Sequence, residues 1–352
     1  MGTITFILVL SFLVFFHELG HFLAARYFGV KVHVFSIGFG KQLFSKEWKG
    51  TTWQFALIPL GGYVKMKGQD DTKPINAEDG DDSYNTKSPW QRIVILFAGP
   101  FANFILAAIL YFVIAILGAS ALAPSIGTVV ENSPAKKAGL IKNDKIYKIN
   151  NTNVQTWEDI GKVITNTQGP LKFYIKRDNK NIAKTINPYI SDSQNMFKEK
   201  IKKRMIGISP SGKVIKLDLS FGESLVFAYE KTIFASTMIF QGVQKLIQGV
   251  IPSSEVGGVL TIGKVVSDAS ASSIIALLSI TALISVNLGV LNLLPIPALD
   301  GGHIMFNIYE MITRRKPSDQ VFMFLTIAGW VILAGLMLLG IYNDITRIFL
   351  ND

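Results

Sequence analysis

The chain has no cysteine, which excludes a disulfide framework and any zinc site built on thiolates. Charge is also scarce. Asp, Glu, Lys and Arg make up 17% of 352 residues, against 49% apolar residues. That balance excludes an ordinary soluble enzyme and predicts an integral membrane protein. Histidine occurs only four times, so a metal site drawing on imidazole has few candidates. No basic residue precedes the first apolar run and no small-residue cleavage site follows it cleanly, which argues against a cleaved signal peptide. No internal repeat is visible.

The formal net charge is +10, but it is not spread evenly. Residues 126–216 hold 18 Lys/Arg against 7 Asp/Glu and show no pattern of stacking aromatics. This reads as a solvated basic face and not as a nucleic-acid surface. Attraction to anionic lipid or to acidic substrate tails is the other reading.

Four apolar stretches are long enough to cross a bilayer, which takes about 20 residues. They are 4–25, 93–123, 274–294 and 321–342. Arg26, Lys31 and Lys41 follow the first, Lys87 and Arg92 precede the second, and Arg314, Arg315 and Lys316 separate the third from the fourth. All three clusters fall on the inner side if both termini face out. Residues 223–251 mix Glu230, Lys231 and Lys245 with apolar residues at helical spacing, as in a helix lying at the interface. Residues 33–67 alternate apolar and polar and are dotted with glycine, predicting short strands and turns. Residues 69–87 read as a flexible acidic linker.

The chemistry lies in His17-Glu18-Leu19-Gly20-His21, inside the first span. Residues four apart share one helix face, so both imidazoles can hold one metal. Glu18 is then close enough to act as general base without being a ligand. This is the H-E-x-x-H zinc arrangement. Ionisable groups in hydrocarbon need a strong compensator, which a divalent metal provides. The bland alternative is a helix end reaching interfacial water. A third ligand is expected where Pro295 and Pro297 end the third span, ahead of Asp300, Gly301 and Gly302. Asp300 is favoured over His303, which reads as a capping or supporting group. Depth agrees. His17 lies roughly 20 Å into its span at 1.5 Å per residue, and Asp300 reaches that depth only if the third span runs inward.

With Asn292, Pro295, Pro297, Asp300 and Gly301 added to the histidine motif, the chain resembles the site-2 protease family of intramembrane zinc metalloproteases. More narrowly it resembles the bacterial RseP-like branch. Residues 98–104, with Gly99 and Asn103, resemble that branch's second-span motif. Residues 61–66 resemble its membrane-associated β segment, and 133–154 resemble a PDZ domain. Asn143 and Asn151 stand where that pattern often has glycine; asparagine is the next most tolerant of positive φ.

The resemblance implies a mainly α membrane fold with four transmembrane helices, a membrane-associated β segment and one extracytoplasmic PDZ domain of α+β type. The expected parts are 1–30, the first helix with the zinc motif; 31–88, the β segment and acidic linker; and 89–123, the second helix. They continue with 124–215, the PDZ domain and exit linker; 216–272, the interfacial helix region; and 273–352, the last two helices with the third ligand. It implies one zinc ion per chain, in a bacterial inner membrane, with the site toward the cytoplasmic side. It implies substrates that span the membrane once and have been trimmed by another protease. Gly61, Gly62 and Tyr63 would pair with the opened substrate strand.

The expected mechanism has zinc on His17, His21 and Asp300, Glu18 as general base, and Asn292 bonding the oxyanion or substrate backbone. Asn292 capping its helix is the plainer role. Asn103 reads as a substrate-binding residue or as helix glue. The rival reading from another class is a non-catalytic membrane scaffold whose PDZ domain holds a partner and whose zinc is structural. That reading needs a fourth protein ligand. A transporter is weaker, because the second and fourth spans carry no ionisable residue in their interiors.

Overall fold

The structure, a computed structural model, describes residues 2–69 and 80–349. It divides into two compact units. The larger comprises Met1–Ile114 and Gly222–Asp352, the smaller Ala115–Phe221.

The larger unit opens with α1 (Gly2–Tyr27). Two strands follow, β1 (Val32–Trp48) and β2 (Thr51–Met66), then α2 (Pro89–Gly118). The strands are long and bent, with repeated register shifts, where the sequence suggested several short ones. Residues 34–37 of β1 lie between residues 62–65 and 52–55 of β2, so the pair folds into a small sheet. Within it, residues 62–66 pair on one side only and form an edge. The sheet is seated on the lower half of α1 and the start of α2 through Val32, Phe35, Val64, Met66, Ala25 and Ile95. Most of the linker reading, residues 70–79, lies outside the described residues. Its end is built into this unit: Tyr84 is buried and Lys67 Nζ meets Asp82 Oδ1 at 2.6 Å.

The smaller unit begins where α2 stops. The sequence carried the second span to residue 123, but Gly118 turns to φ +93° and the chain enters β3 (Ser120–Leu122). A left-handed glycine is a common helix end. The unit continues through β4 (Ile126–Val129), α3 (Pro134–Lys137), β5 (Lys145–Ile149), β6 (Thr152–Asn153) and α4 (Trp157–Asn166). It ends with β7 (Leu171–Arg177), β8 (Lys180–Ile186), β9 (Tyr189–Gln194), β10 (Lys200–Met205), β11 (Ile208–Pro210) and β12 (Val214–Lys216). One sheet has the order β6-β5-β7-β8, and β4–β11, β9–β10 and β3–β12 form separate pairs. Thr156 and Asp159 form a capping box at the start of α4, and Ile160 and Ile164 point into a core with Phe173, Ile175 and Ile146. Asn143 adopts φ 70° at the first glycine position, while in the second turn the positive φ, 52°, falls on Asn150 and not on Asn151. Asp144 is buried and receives both Nε and one terminal nitrogen of Arg177 at 2.8 Å.

The chain returns to the larger unit with α5 (Phe221–Ile247), α6 (Val259–Ser272), α7 (Ile274–Asn292), α8 (Asp300–Thr313) and α9 (Asp319–Phe349). Among the described residues four helices are long and apolar enough to cross a membrane: α1, α2, α7 and α9. α5 is not among them. It buries a stripe of small residues, Ser224, Ala228, Thr232 and Ala235. Leu13 of α1, Leu106 of α2, Ala235 of α5 and Val286 of α7 share one core. Helices come close where side chains vanish. A Cβ on Gly20 would stand 2.1 Å from the carbonyl oxygen of Ala98, so α1 and α2 meet backbone to backbone. Asp344 of α9 is buried and accepts from Gly258 N, Leu260 N and Thr261 N, tying α9 to the start of α6.

Candidate active site

His17, Glu18 and His21 lie on α1 at the face turned toward α2, α7 and β2. His21 and Glu18 are 6% and 9% exposed. The two imidazoles stand edge to face with Nε2 atoms 3.2 Å apart. Asp300 reaches them from a different place than the sequence suggested. It does not close the third span; it is the first residue of α8, after a turn that follows α7. Pro295 and Pro297 have no N–H to continue α7. The turn closes on itself instead, Ile296 N bonding Leu294 O at 2.7 Å and Leu299 N bonding Ile296 O at 2.8 Å. Gly301 and Gly302 allow α8 to start against this turn, since a Cβ on either would stand 2.3 Å from a turn carbonyl. Gly329 of α9 supports the turn from behind, 2.7 Å from Ala298 N by the same measure. Arg92 of α2 holds α8 through Glu310 at 2.7 Å.

Asp300 Oδ2 lies 3.3 Å from His17 Nε2 and 3.4 Å from His21 Nε2. Together with the 3.2 Å between the imidazoles, the three atoms form a nearly equilateral triangle. Donors on a tetrahedral zinc at about 2.0–2.1 Å sit about 3.3 Å apart. Asp300 Oδ2 is buried and has no hydrogen-bond partner of its own. An orphaned carboxylate oxygen facing two imidazole nitrogens at that spacing fits zinc. Among the described residues this group has three donors and no fourth. His303 is not in it; its ring packs against Phe306 and Phe322.

The surroundings orient the ligands. His21 Nδ1 donates to the carbonyl oxygen of Ile95 at 2.9 Å, which leaves the Nε2 lone pair for the metal. Gly99 gives the ring its room, because a Cβ there would lie 2.2 Å from His21 Nε2. Asn103 meets His17 Nδ1 at 3.2 Å and Asn292 stands 3.5 Å from His17 Nε2. Both therefore converge on His17, Asn103 from behind the ring and Asn292 from the metal side.

Glu18 faces β2. The backbone N–H of Val64 bonds its carboxylate. Gly62 lies against it, a Cβ there standing 3.2 Å from Glu18 Cγ and 2.7 Å from Val14 Cγ1. Alternate residues of a strand face opposite ways. Gly61 accordingly packs on the Phe39 ring, and the Tyr63 hydroxyl accepts from Gln54 Nε2 at 3.1 Å. Of the three β-segment residues read from sequence, Gly62 alone touches Glu18. An apolar groove of about 440 Å³ lies beside the site, lined by Phe104, Phe240, Val290, Leu293, Leu294 and Pro295 with Ser236 and Thr237. Phe104 and Leu293 are the chain neighbours of Asn103 and Asn292. Sequence reasoning missed Ile95, whose contribution is a carbonyl. It also left Gly99 without a role, although a glycine inside a spanning helix signals close approach.

Two imidazoles and a carboxylate set for zinc, with a buried glutamate beside them on a membrane-spanning helix, define a metal hydrolase of the membrane. The pattern of Peptidase family M50 matches residues 5–336, and the chain belongs to that family, the site-2 proteases. A protein of Campylobacter jejuni classed as a candidate zinc metalloprotease is 50% identical, over 97% of this chain and 92% of its own length. One of Helicobacter pylori with the same class of name is 40% identical, over 97% and 98%. The metalloprotease MmpA of Caulobacter vibrioides is 32% identical, over 98% and 95%. The chain is an integral membrane zinc metalloprotease.

Proposed function

We propose that this chain cuts the membrane-spanning helix of single-span proteins within the bilayer, after another protease has trimmed their outer part. One observation carries the reading. His17, Glu18 and His21 sit in the second half of α1, a helix about 39 Å long at 1.5 Å per residue and apolar enough to cross. Bound zinc supplies a Lewis acid that polarises a carbonyl and makes water acidic enough to attack it. Glu18 takes the proton from the attacking water and returns it to the leaving amine. Asn292 is placed to donate to the oxygen that gains charge. A helix must be unwound before its peptide bond can be reached. The edge at residues 62–66, where Val64 N–H bonds Glu18, offers its other backbone groups to an opened strand, and Gly62 brings that edge against Glu18. The apolar groove offers room for a substrate side chain next to the bond.

The basic clusters at Arg26, Lys31 and Lys41 and at Arg314, Arg315 and Lys316 support an orientation with both termini and the smaller unit outside the cytoplasm. In that reading the membrane is the bacterial inner membrane. The smaller unit is read as a PDZ domain that restricts access to untrimmed substrates. Its positive-φ turns at Asn143 and Asn150 and its four-stranded sheet with a capped helix support this. The scaffold alternative needs a closed metal site, and three donors among the described residues speak for an open one.

The test is cleavage of a tagged single-span peptide in proteoliposomes, wild type beside Glu18→Gln, with zinc measured in both. Cutting by wild type alone, with equal zinc, supports the proposal. Equal zinc and no cutting of any pre-trimmed substrate in a panel favours the scaffold.

A further inference from the structure

We propose that Asn103 is a positioning residue for the metal site, its side-chain oxygen accepting the Nδ1–H of His17 when zinc is bound. A histidine that ligates through Nε2 must carry its proton on Nδ1, and that N–H needs an acceptor. For His21 the acceptor is the Ile95 carbonyl. For His17 the side chain of Asn103 stands at Nδ1, 3.2 Å away.

Asn103 is 0% exposed. Its amide nitrogen faces His17 Nδ1, and its Oδ1 is buried without a partner. Nitrogen and oxygen of an amide have nearly the same shape, so a half-turn of the side chain exchanges them in place. The oxygen then accepts from Nδ1, and the Nε2 lone pair is free for zinc. Asparagine and aspartate can both supply that oxygen; leucine, of similar size, cannot. The backbone of Asn103 is held separately, its carbonyl accepting from Ser285 Oγ of α7 at 2.8 Å. Helix packing and ligand positioning can therefore be perturbed one at a time.

This inference rests on the zinc site of the full chain. Zinc affinity is measured by chelator competition on purified full-length protein in detergent, for wild type, Asn103→Leu, Asn103→Asp and Ser285→Ala. Asn103→Leu is expected to bind about 10–100-fold more weakly, with Asn103→Asp and Ser285→Ala within about threefold of wild type. Asn103→Leu equal to wild type, or Ser285→Ala losing as much as Asn103→Leu, overturns the proposal. Should Asn103→Leu fail to fold, nitrogen-15 spectra of the histidines in zinc-loaded wild type decide. A proton on His17 Nδ1 with coordination through Nε2 supports it, and coordination through Nδ1 overturns it. Wild type without stoichiometric zinc would instead refute the zinc site itself.

Discussion

Gly99 of α2 faces His21 of α1 so closely that a β-carbon on it would stand 2.2 Å from the ligating Nε2. Real side-chain atoms do not approach that near, so the metal ligand and the glycine require each other. Gly99→Ala should leave the protein folded but weaken zinc by about 10–100-fold and abolish most cleavage. Gly161→Ala, in α4 where nothing lies within 4 Å, should leave zinc and cleavage unchanged. Zinc per chain measured on both variants checks this.

Asp300 and His303 are three residues apart, yet only Asp300 faces the imidazoles. Asp300→Ala should lose stoichiometric zinc. His303→Gln should keep one zinc per chain and lower thermal stability modestly, because its ring packs on Phe306 and Phe322. Metal content after dialysis distinguishes the two.

Asn292 approaches from the metal side of His17. Asn292→Ala should retain zinc and lower kcat by about 10²–10³-fold, the usual cost of one lost oxyanion donor. A rise in KM alone would instead make it a substrate-binding group. Steady-state kinetics in detergent on one trimmed peptide separates these outcomes.

Gly62 lies against Glu18, Val14 and the Ser36 carbonyl. Gly62→Val must push β2 or Glu18 aside. Displacing a reacting group by about 1 Å costs on the order of 10²-fold. The expected result is full zinc with cleavage reduced by about that factor, read by metal analysis and turnover together.

Arg92, which is buried, and Glu310, which is half-buried, form an ion pair joining α2 to the helix that begins with Asp300. Removing one partner strands the other charge. Glu310→Ala should cost about 3–5 kcal/mol, while replacing both with apolar residues of similar volume should recover much of it. Thermal melts of the single and double variants in one detergent check this.

Much of the site was legible because its residues are chemically improbable where they stand. Histidines and a glutamate in an apolar run need a reason, and so does an aspartate after two prolines. Their spacing on one helix turn is enough to join His17 to His21. The strands were harder to read, because residues 34–37 pair on both sides through long-range contacts that no local pattern reveals. Pro295 and Pro297 do mark the end of the third span, but the helix that Asp300 starts was not legible, because residues 300–313 follow an apolar turn with no distinct start signal. The end of α2 was overrun because Gly118 is followed by further apolar residues that belong to a strand. Ile95 could not be found by residue type, because its contribution is backbone.

The most direct measurement is the position of the cut. A trimmed single-span peptide incubated with the enzyme in proteoliposomes would be analysed by mass spectrometry of both fragments. Hydrolysis inside the apolar segment, abolished by Glu18→Gln while zinc is retained, is the predicted result. Cuts confined to the polar flanks would contradict an active site that works within the membrane.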